Sequence, residues 1–213
     1  MESLRKKADK IRRILRSTYP DVKTQLDHAN AFQLLIATIL SAQCTDRQVN
    51  QVTGKLFARF PTPEALASAP PPEIEELIHS TGFYKNKARN IRACALALVE
   101  RHGGQVPGSL EELIQLPGVG RKTANVVLGA AFGVPGVVVD THVARISRRL
   151  GFTVHKDPVK IEFDLMEIIP KRAWNEFGLH LIYFGRETCT ARKPACPRCP
   201  VERLCPYPNK TMP

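Results

Sequence analysis

Residues 116–128 read Leu-Pro-Gly-Val-Gly-Arg-Lys-Thr-Ala-Asn-Val-Val-Leu, a turn-forming run that leads directly into an apolar, helix-forming run. Gly118 and Gly120 favour a tight turn, because glycine adopts backbone angles that are closed to residues with a Cβ atom. Apolar spacing in residues 110–115 predicts a short amphipathic helix before the turn, and a second helix is expected to begin at about Arg121. The stretch therefore predicts two helices joined by a glycine turn.

Such a turn is a candidate anion-binding site. The backbone N–H groups beside a helix N-terminus converge on a point outside the protein, and the helix dipole adds positive potential there. Arg121 and Lys122 add formal positive charge at the same point. A grip made of backbone amides would hold the phosphates of any nucleic acid without reading its sequence. The alternative is a helical corner that only packs against the core.

The composition also indicates an anionic partner. The 213 residues contain 31 Lys and Arg against 20 Asp and Glu, which gives a net charge of +11 and a pI near 9.6. Nucleic acid is the first candidate and a membrane surface the second. An apolar content of 43% is ordinary for a soluble globular protein.

Compartment and cysteine use are linked. No apolar run approaches the roughly 20 residues that span a bilayer, and the basic N-terminus lacks the apolar core of a signal peptide. We therefore expect a cytoplasmic protein without membrane association. In that compartment, six cysteines favour metal or redox use over structural disulfides.

Helical periodicity and capping signals predict an all-α fold of about ten helices. Proline and glycine breaks suggest two lobes, one of them a compact helical unit over residues 24–134 with the hairpin at about 109–132. Residues 137–139 look extended but are too few for a sheet of their own. Helix caps are expected at Asn30, Thr62 and Asp157, and capping boxes at Thr45 with Gln48 and at Ser109 with Glu112.

Four cysteines near the C-terminus have the spacing C-x6-C-x2-C-x5-C within residues 189–205: Cys189, Cys196, Cys199 and Cys205. The segment is rich in proline and poor in core residues, so an inorganic centre is the expected source of its order. Zinc usually takes two close cysteine pairs, and only one such pair is present. An iron–sulfur cluster suits the uneven spacing better, and redox thiols are a third option. Basic residues of this segment, among them Lys193, are candidate phosphate contacts.

Two further residues are candidates for catalysis. Lys122 lies at the predicted start of a helix, where the dipole disfavours the ammonium form, and a neutral amine can form a Schiff base with a sugar carbon. A phosphate contact is the alternative role. Asp140 precedes Thr141-His142-Val143 as a good helix N-cap, and a carboxylate fixed in that way can also stabilise a developing positive charge.

The hairpin sequence, Val139-Asp140-Thr141-His142 and the four cysteines together resemble bacterial endonuclease III, a family of DNA glycosylases and abasic-site lyases of the helix-hairpin-helix superfamily. The resemblance runs from Phe32 to Cys205. It implies two lobes, residues 24–134 and residues 1–23 with 135–213, with the catalytic cleft between them. It also implies a 4Fe–4S cluster on the four cysteines. A structural role is the simplest one for this cluster.

The resemblance further implies that Lys122 is the nucleophile and Asp140 the carboxylate in the removal of oxidised pyrimidines from duplex DNA, with strand cleavage by β-elimination. Gln43 and Phe83 match positions that enter the DNA stack, although the second is usually leucine; a core aromatic is the alternative for Phe83. Ser41 and Asp46 are expected to border the pocket, and His142 to contact phosphate or sugar unless it is structural.

Two other functions remain open from the sequence. The adenine-mismatch glycosylases share the hairpin, the aspartate and the cysteine spacing, but they normally lack the lysine and carry a further C-terminal domain. A non-enzymatic iron–sulfur DNA-binding protein fits the hairpin, the charge and the cysteines equally well. Only Lys122 together with Asp140 argues for an enzyme, which is expected to act as a monomer on double-stranded DNA.

Overall fold

The structure is a computed structural model that describes residues 2–211, and this range contains α-helices, short 3₁₀ turns and no strand. The predicted all-α class is confirmed. The α-helices are α1 (Glu2–Thr18), α2 (Ala31–Leu40), α3 (Asp46–Arg59), α4 (Pro63–Ser68), α5 (Pro71–Ile78), α6 (Tyr84–His102), α7 (Leu110–Leu113), α8 (Arg121–Ala131), α9 (Thr141–Arg149), α10 (Pro158–Ile168) and α11 (Trp174–Glu187).

The helices group into two compact units, each with its own apolar core. The hairpin unit is Thr24–Val134 and contains α2 to α8. The cysteine unit combines α1 with the chain from Pro135 onward. None of the helices in residues 2–211 has the length and apolar character that crossing a membrane requires.

Helix α2 lies at the centre of the hairpin unit. It is apolar on nearly every side, and all of its residues except the first and the third are buried. Helices α3, α6 and α8 pack around it. The helix ends at Leu40, and Gln43, three residues later, lies in the left-handed region with φ 53°. A polar loop therefore follows directly from the most buried element.

The helix caps follow the sequence closely. Asn30, Thr62 and Asp157 each accept a hydrogen bond from a backbone N–H in the first turn that they precede, as predicted. Thr45 also caps its helix, but the predicted reciprocal bond of the capping box is not made. The Gln48 side chain instead donates to Ser80 Oγ at 2.7 Å.

In the cysteine unit, α1 packs against α10 and α11 and buries Ala8, Ile11 and Leu15 completely. His180 on α11 is also fully buried, and its Nε2 lies 3.0 Å from the carbonyl oxygen of Tyr19, which follows α1. A carbonyl only accepts, so Nε2 carries the proton. Nδ1 is buried and has no hydrogen-bond partner among the described residues.

This arrangement makes the cysteine unit sensitive to mild acid. Burial lowers the pKa of His180 below its ordinary 6.5. The unfolded chain therefore binds the proton more tightly than the folded protein, and stability is lost as the pH falls below about 6.5. We expect the free energy of unfolding in denaturant to fall more between pH 7.5 and 5.5 for the wild type than for His180→Gln, which keeps a donor for Tyr19 and does not titrate. Equal losses would contradict this role.

Candidate functional site

The two glycines of the hairpin turn, Gly118 and Gly120, differ in backbone conformation and in packing. Gly118 has φ 76°, and a Cβ atom there would lie 3.0 Å from Asn90 Cβ and 3.3 Å from Ile39 Cγ2. Gly120 has φ −95° and ψ 172°, a conformation that any residue adopts. The expectation that both glycines need unusual backbone angles is therefore wrong for Gly120. Only Gly118 is required by conformation and by its close packing against α2 and α6.

What distinguishes Gly120 is the open space beside it. A Cβ atom built on Gly120 would meet no atom within 4 Å. Gly120 is the N-cap of α8 and, having no side chain, it supplies no cap to the amides of the first turn. Gly120 O accepts the first bond of the helix from Ala124 N at 3.0 Å. Donors at a helix N-terminus beside open space are the arrangement in which backbone binds an anion.

Lys122 is the second residue of α8 and its side chain is exposed, while Arg121, the first residue, is half-buried. The buried side chains Leu116 and Val119 anchor the turn that leads into them. The start of α8, and with it the position of Lys122, is therefore set by packing of the turn. The hairpin unit presents its lysine on a fixed helical end.

Asp140 is the N-cap of α9, as the sequence predicted. Its Oδ1 accepts a hydrogen bond from Val143 N at 2.8 Å, which fixes one carboxylate oxygen at the helix N-terminus. The residue is half-buried. Residues 137–139, which precede it, form neither helix nor strand, and Val137 and Val139 are buried in the core of the cysteine unit. Asp140 is thus anchored from both sides.

His142, two residues later, has a partner that sequence analysis missed. Arg145 Nη2 lies 3.2 Å from His142 Nδ1 and also donates to the carbonyls of Gly185 and Cys189, at 3.0 and 2.9 Å. A guanidinium only donates, so Nδ1 must accept and Nε2 carries the proton. The contact with Arg145 supports a structural role for His142, and a donor function at Nε2 is compatible with that role.

Gln43 and Phe83 share an unusual backbone. They are the two non-glycine residues with positive φ in residues 2–211, at 53° and 49°. Such conformations cost of order 1–3 kcal/mol each and persist only where the surrounding structure imposes them. Both side chains are exposed, Phe83 by 66%. The alternative that Phe83 is a core aromatic is therefore excluded.

Ser41 and Asp46 flank the loop that carries Gln43. Ser41 Oγ donates to Thr38 O at 2.8 Å, and Asp46 is the first residue of α3; both are half-buried. Tyr84, the neighbour of Phe83, lies with its ring centroid 4.4 Å from that of His79. Phe83 points away from the core while Tyr84 packs back onto the chain.

The four cysteines line one cavity in the cysteine unit, together with residues that include Phe184, Pro194 and Val201. All four are reduced and half-buried. Burial and the nearby thiols raise the pKa of Cys199 to about 11. Among the described residues, no three His, Cys, Asp or Glu side chains converge closely enough to hold a single metal ion. The thiols surround a common space and do not meet at a point.

Arg149 secures this segment, a second contact that sequence analysis missed. Its Nη1 lies 3.3 Å from Cys189 Sγ and 2.8 Å from Thr190 O, and its guanidinium carbon lies 4.7 Å from the centroid of the Tyr207 ring. Arg145 and Arg149 are four residues apart on α9 and therefore lie on one face of the helix. This spacing was the sequence pattern that could have indicated their shared role. Lys193 is exposed on the same segment, where its carbonyl accepts from Thr190 Oγ1 at 2.7 Å.

Comparison with known proteins gives consistent results. The profile of the HhH-GPD superfamily base excision DNA repair proteins matches residues 36–171. Endonuclease III of Synechocystis sp. is 54% identical over 97% of this chain and 94% of its own, and that of Bacillus subtilis is 47% identical over 88% and 86%. A solved structure described as a trapped endonuclease III–DNA covalent intermediate superposes with a TM-score of 0.92 at 46% identity, over 95% of this chain and 96% of that one. The chain therefore belongs to the HhH-GPD superfamily of base excision DNA repair proteins and, within it, to the endonuclease III family.

Proposed function

We propose that the protein is a bifunctional DNA glycosylase and abasic-site lyase of base excision repair that removes oxidised pyrimidines from duplex DNA. The observation that carries the proposal is an exposed lysine in the first turn of an uncapped hairpin helix, Lys122. The relative captured as a covalent intermediate with DNA supports a mechanism with a protein nucleophile. Lys122 is the residue that we propose for that role in this chain.

The proposed reaction begins at the sugar of a nucleotide that has left the stack. The neutral Lys122 amine attacks C1′, and the bond from C1′ to the base breaks with its electron pair going to the base, which then takes up a proton. Nζ then loses a proton, and the C1′–O4′ bond breaks with its electron pair going to O4′, which takes up a proton. The opened sugar is left as a protonated imine between Lys122 Nζ and C1′. The imine acidifies the C2′ proton, and its loss expels the 3′ phosphate by β-elimination. Water finally hydrolyses the imine and releases the enzyme.

We propose that Asp140 supplies the fixed negative charge that this reaction needs. The transition state at C1′ resembles an oxocarbenium ion, and a carboxylate held in place stabilises it without reorganisation. The bond from Val143 N uses Oδ1 and leaves Oδ2 able to face a substrate or to assist removal of a proton from the Lys122 amine. Capping and catalysis are thus compatible in one side chain.

The proposed DNA contacts follow from exposure and charge. The backbone at Gly118 and Gly120, which has open space beside Gly120, binds a backbone phosphate together with Arg121. Gln43 bonds to the base left without a partner, and Phe83 inserts apolar surface into the opened step. The remaining proposed residues are Ser41 and Asp46 at the base pocket, and His142 and Lys193 as donors to phosphate.

We also propose a 4Fe–4S cluster on Cys189, Cys196, Cys199 and Cys205. The four-thiol donor set is the one such clusters use, and the shared cavity suits a group with its own volume. When bound, the cluster supplies crosslinks that order a segment with almost no core of its own. The protein is further proposed to act as a monomer on chromosomal DNA in the bacterial cytoplasm.

Borohydride trapping on duplex DNA containing thymine glycol tests the reaction. We expect a covalent complex with the wild type and none with Lys122→Gln, which has no amine. Asp140→Asn keeps an equally good helix cap, so the unfolding temperature should hardly change while the trapping rate falls by about 10²-fold or more. Trapping that survives Lys122→Gln, or no trapping by the wild type, would remove the Schiff base from the proposal.

Metal and sulfide analysis tests the cluster. The purified protein is expected to be brown and to contain about four irons and four sulfides per chain. Cys196→Ala should lose both, whereas Cys94→Ala, which alters a fully buried thiol of the other unit, should retain them. A colourless protein with one zinc per chain would contradict the assignment.

Paired alanine substitutions separate the roles of the two hairpin glycines. Gly118→Ala should destabilise the protein by about 1–3 kcal/mol, because alanine is strained at positive φ and collides with Asn90. Gly120→Ala should leave stability within about 0.5 kcal/mol. Its methyl group would project into the open space, so binding to undamaged duplex should weaken about tenfold in fluorescence anisotropy. Unchanged binding by Gly120→Ala would argue that the phosphate lies elsewhere.

A further inference from the structure

Lys87 is a buried lysine that the proposed reaction does not use. It is the fourth residue of α6 and only 5% exposed. It occupies the apolar stripe of that helix, in line with Ile91, Cys94 and Leu98, which are completely buried. An apolar residue would fill this position without the cost of removing an ammonium group from water. The lysine therefore requires an explanation from its contacts.

The contacts of Lys87 reach two loops. Its Nζ donates to the carbonyl oxygen of Thr81 at 2.8 Å, and within residues 2–211 no carboxylate pairs with it. Burial lowers the pKa of Lys87, and the Cys44 side chain lies close enough to raise it in part. Thr81 belongs to the Phe83 loop (residues 79–83), and Cys44 belongs to the Gln43 loop (residues 41–45).

These are the two loops with strained backbone. Gln43 and Phe83 have positive φ, and Gly82 between Thr81 and Phe83 has φ 69° and ψ 155°, a region open essentially to glycine alone. A loop in such a conformation relaxes unless its neighbours hold it. Lys87 donates to the residue before Gly82 and lies near Cys44, the residue after Gln43, so one buried ammonium group stands at the base of both strained segments.

A second link joins the same parts of the chain. Gln48 Nε2, in the first turns of α3 just after the Gln43 loop, donates to Ser80 Oγ in the Phe83 loop at 2.7 Å. This bond is exposed, whereas the Lys87 bond is buried and so less open to competition from water. The Phe83 loop is therefore held from the start of α3 at an outer point and from α6 at an inner point.

We propose that Lys87 is a positioning residue for insertion into DNA: it holds the Gln43 loop and the Phe83 loop in register, so that the two side chains enter the duplex together. The inference rests on the proposed function, because it assumes that these side chains fill the space left by the extruded nucleotide. Lys87 itself touches neither DNA nor the reacting atoms. Its effect is confined to the step in which the nucleotide leaves the stack.

Lys87→Met tests the proposal, with Lys85→Met as the matched control because Lys85 is exposed on the same helix and carries the same charge. On thymine-glycol duplex, the rate of borohydride trapping should fall roughly 10- to 100-fold in Lys87→Met and stay unchanged in Lys85→Met. On an abasic site in single-stranded DNA, where nothing has to leave a stack, all three proteins should trap at equal rates. Binding to undamaged duplex should also be equal.

A direct measurement of insertion completes the test. A 2-aminopurine base opposite the lesion brightens when it is unstacked, and this increase should be lost in Lys87→Met while wild type and Lys85→Met retain it. A merely structural role would lower the unfolding temperature and slow trapping on both substrates alike. Equal slowing on duplex and single strand, or unchanged fluorescence, would overturn the proposal. Failure of the wild type to trap either substrate would instead overturn the proposed function.

A second variant keeps the test decisive if Lys87→Met does not fold. Ser80→Ala removes the exposed outer link, and a surface change of this kind leaves folding intact. We expect a smaller loss in the same direction, roughly two- to fivefold on the duplex and none on the single strand. A wild-type rate on the duplex would argue that the Phe83 loop needs no support from its neighbours.

Discussion

The hairpin unit depends on how closely its glycine turn approaches α2. At Gly118 the backbone has positive φ and packs so near to Ile39 and Asn90 that a Cβ atom would force these side chains to shift, and this contact helps to fix where α8 begins. Helix α2 can accept this approach because it is apolar on nearly every side and is surrounded by α3, α6 and α8. The position of Lys122 is therefore a consequence of core packing. The loop of Gln43 starts from the same end of this helix, directly after Ile39 and Leu40.

Helix N-termini serve two purposes in this chain. Asn30, Thr62 and Asp157 satisfy their own helices with a side-chain oxygen, which closes the site to any ligand. Gly120 supplies no such oxygen and has open space beside it. Asp140 stands between these cases, because one of its oxygens caps α9 and the other is not needed for that bond. The residue at the cap thus decides whether a side-chain oxygen bonds to an amide of the first turn, as at Asp140, or none does, as at Gly120.

Much of the fold and of the site could be predicted from the sequence, because the signals were local. Caps at Asn30 and Asp140 depend on a side chain and an amide three residues apart, so the sequence contains both partners. The failures concern contacts between distant residues. The Gln48 side chain bonds to Ser80 and not to the cap residue Thr45. Arg149 contacts Cys189, which lies 40 positions later in the chain. The left-handed backbone of Gln43 and Phe83 has no marker of its own, since neither residue type favours positive φ.

The two units differ in how far apart in the sequence their packed elements lie. Every element of the hairpin unit is contiguous, whereas α1 pairs with residues such as Leu150 and His180, more than 140 positions later. A ribosome adds about 5–20 residues per second, so α1 emerges roughly 7–30 s before its partners. During this delay the apolar face of Ala8, Ile11 and Leu15 has no native surface to cover it. The hairpin unit can meanwhile complete its own core, so α1 is one of the last helices to find its place.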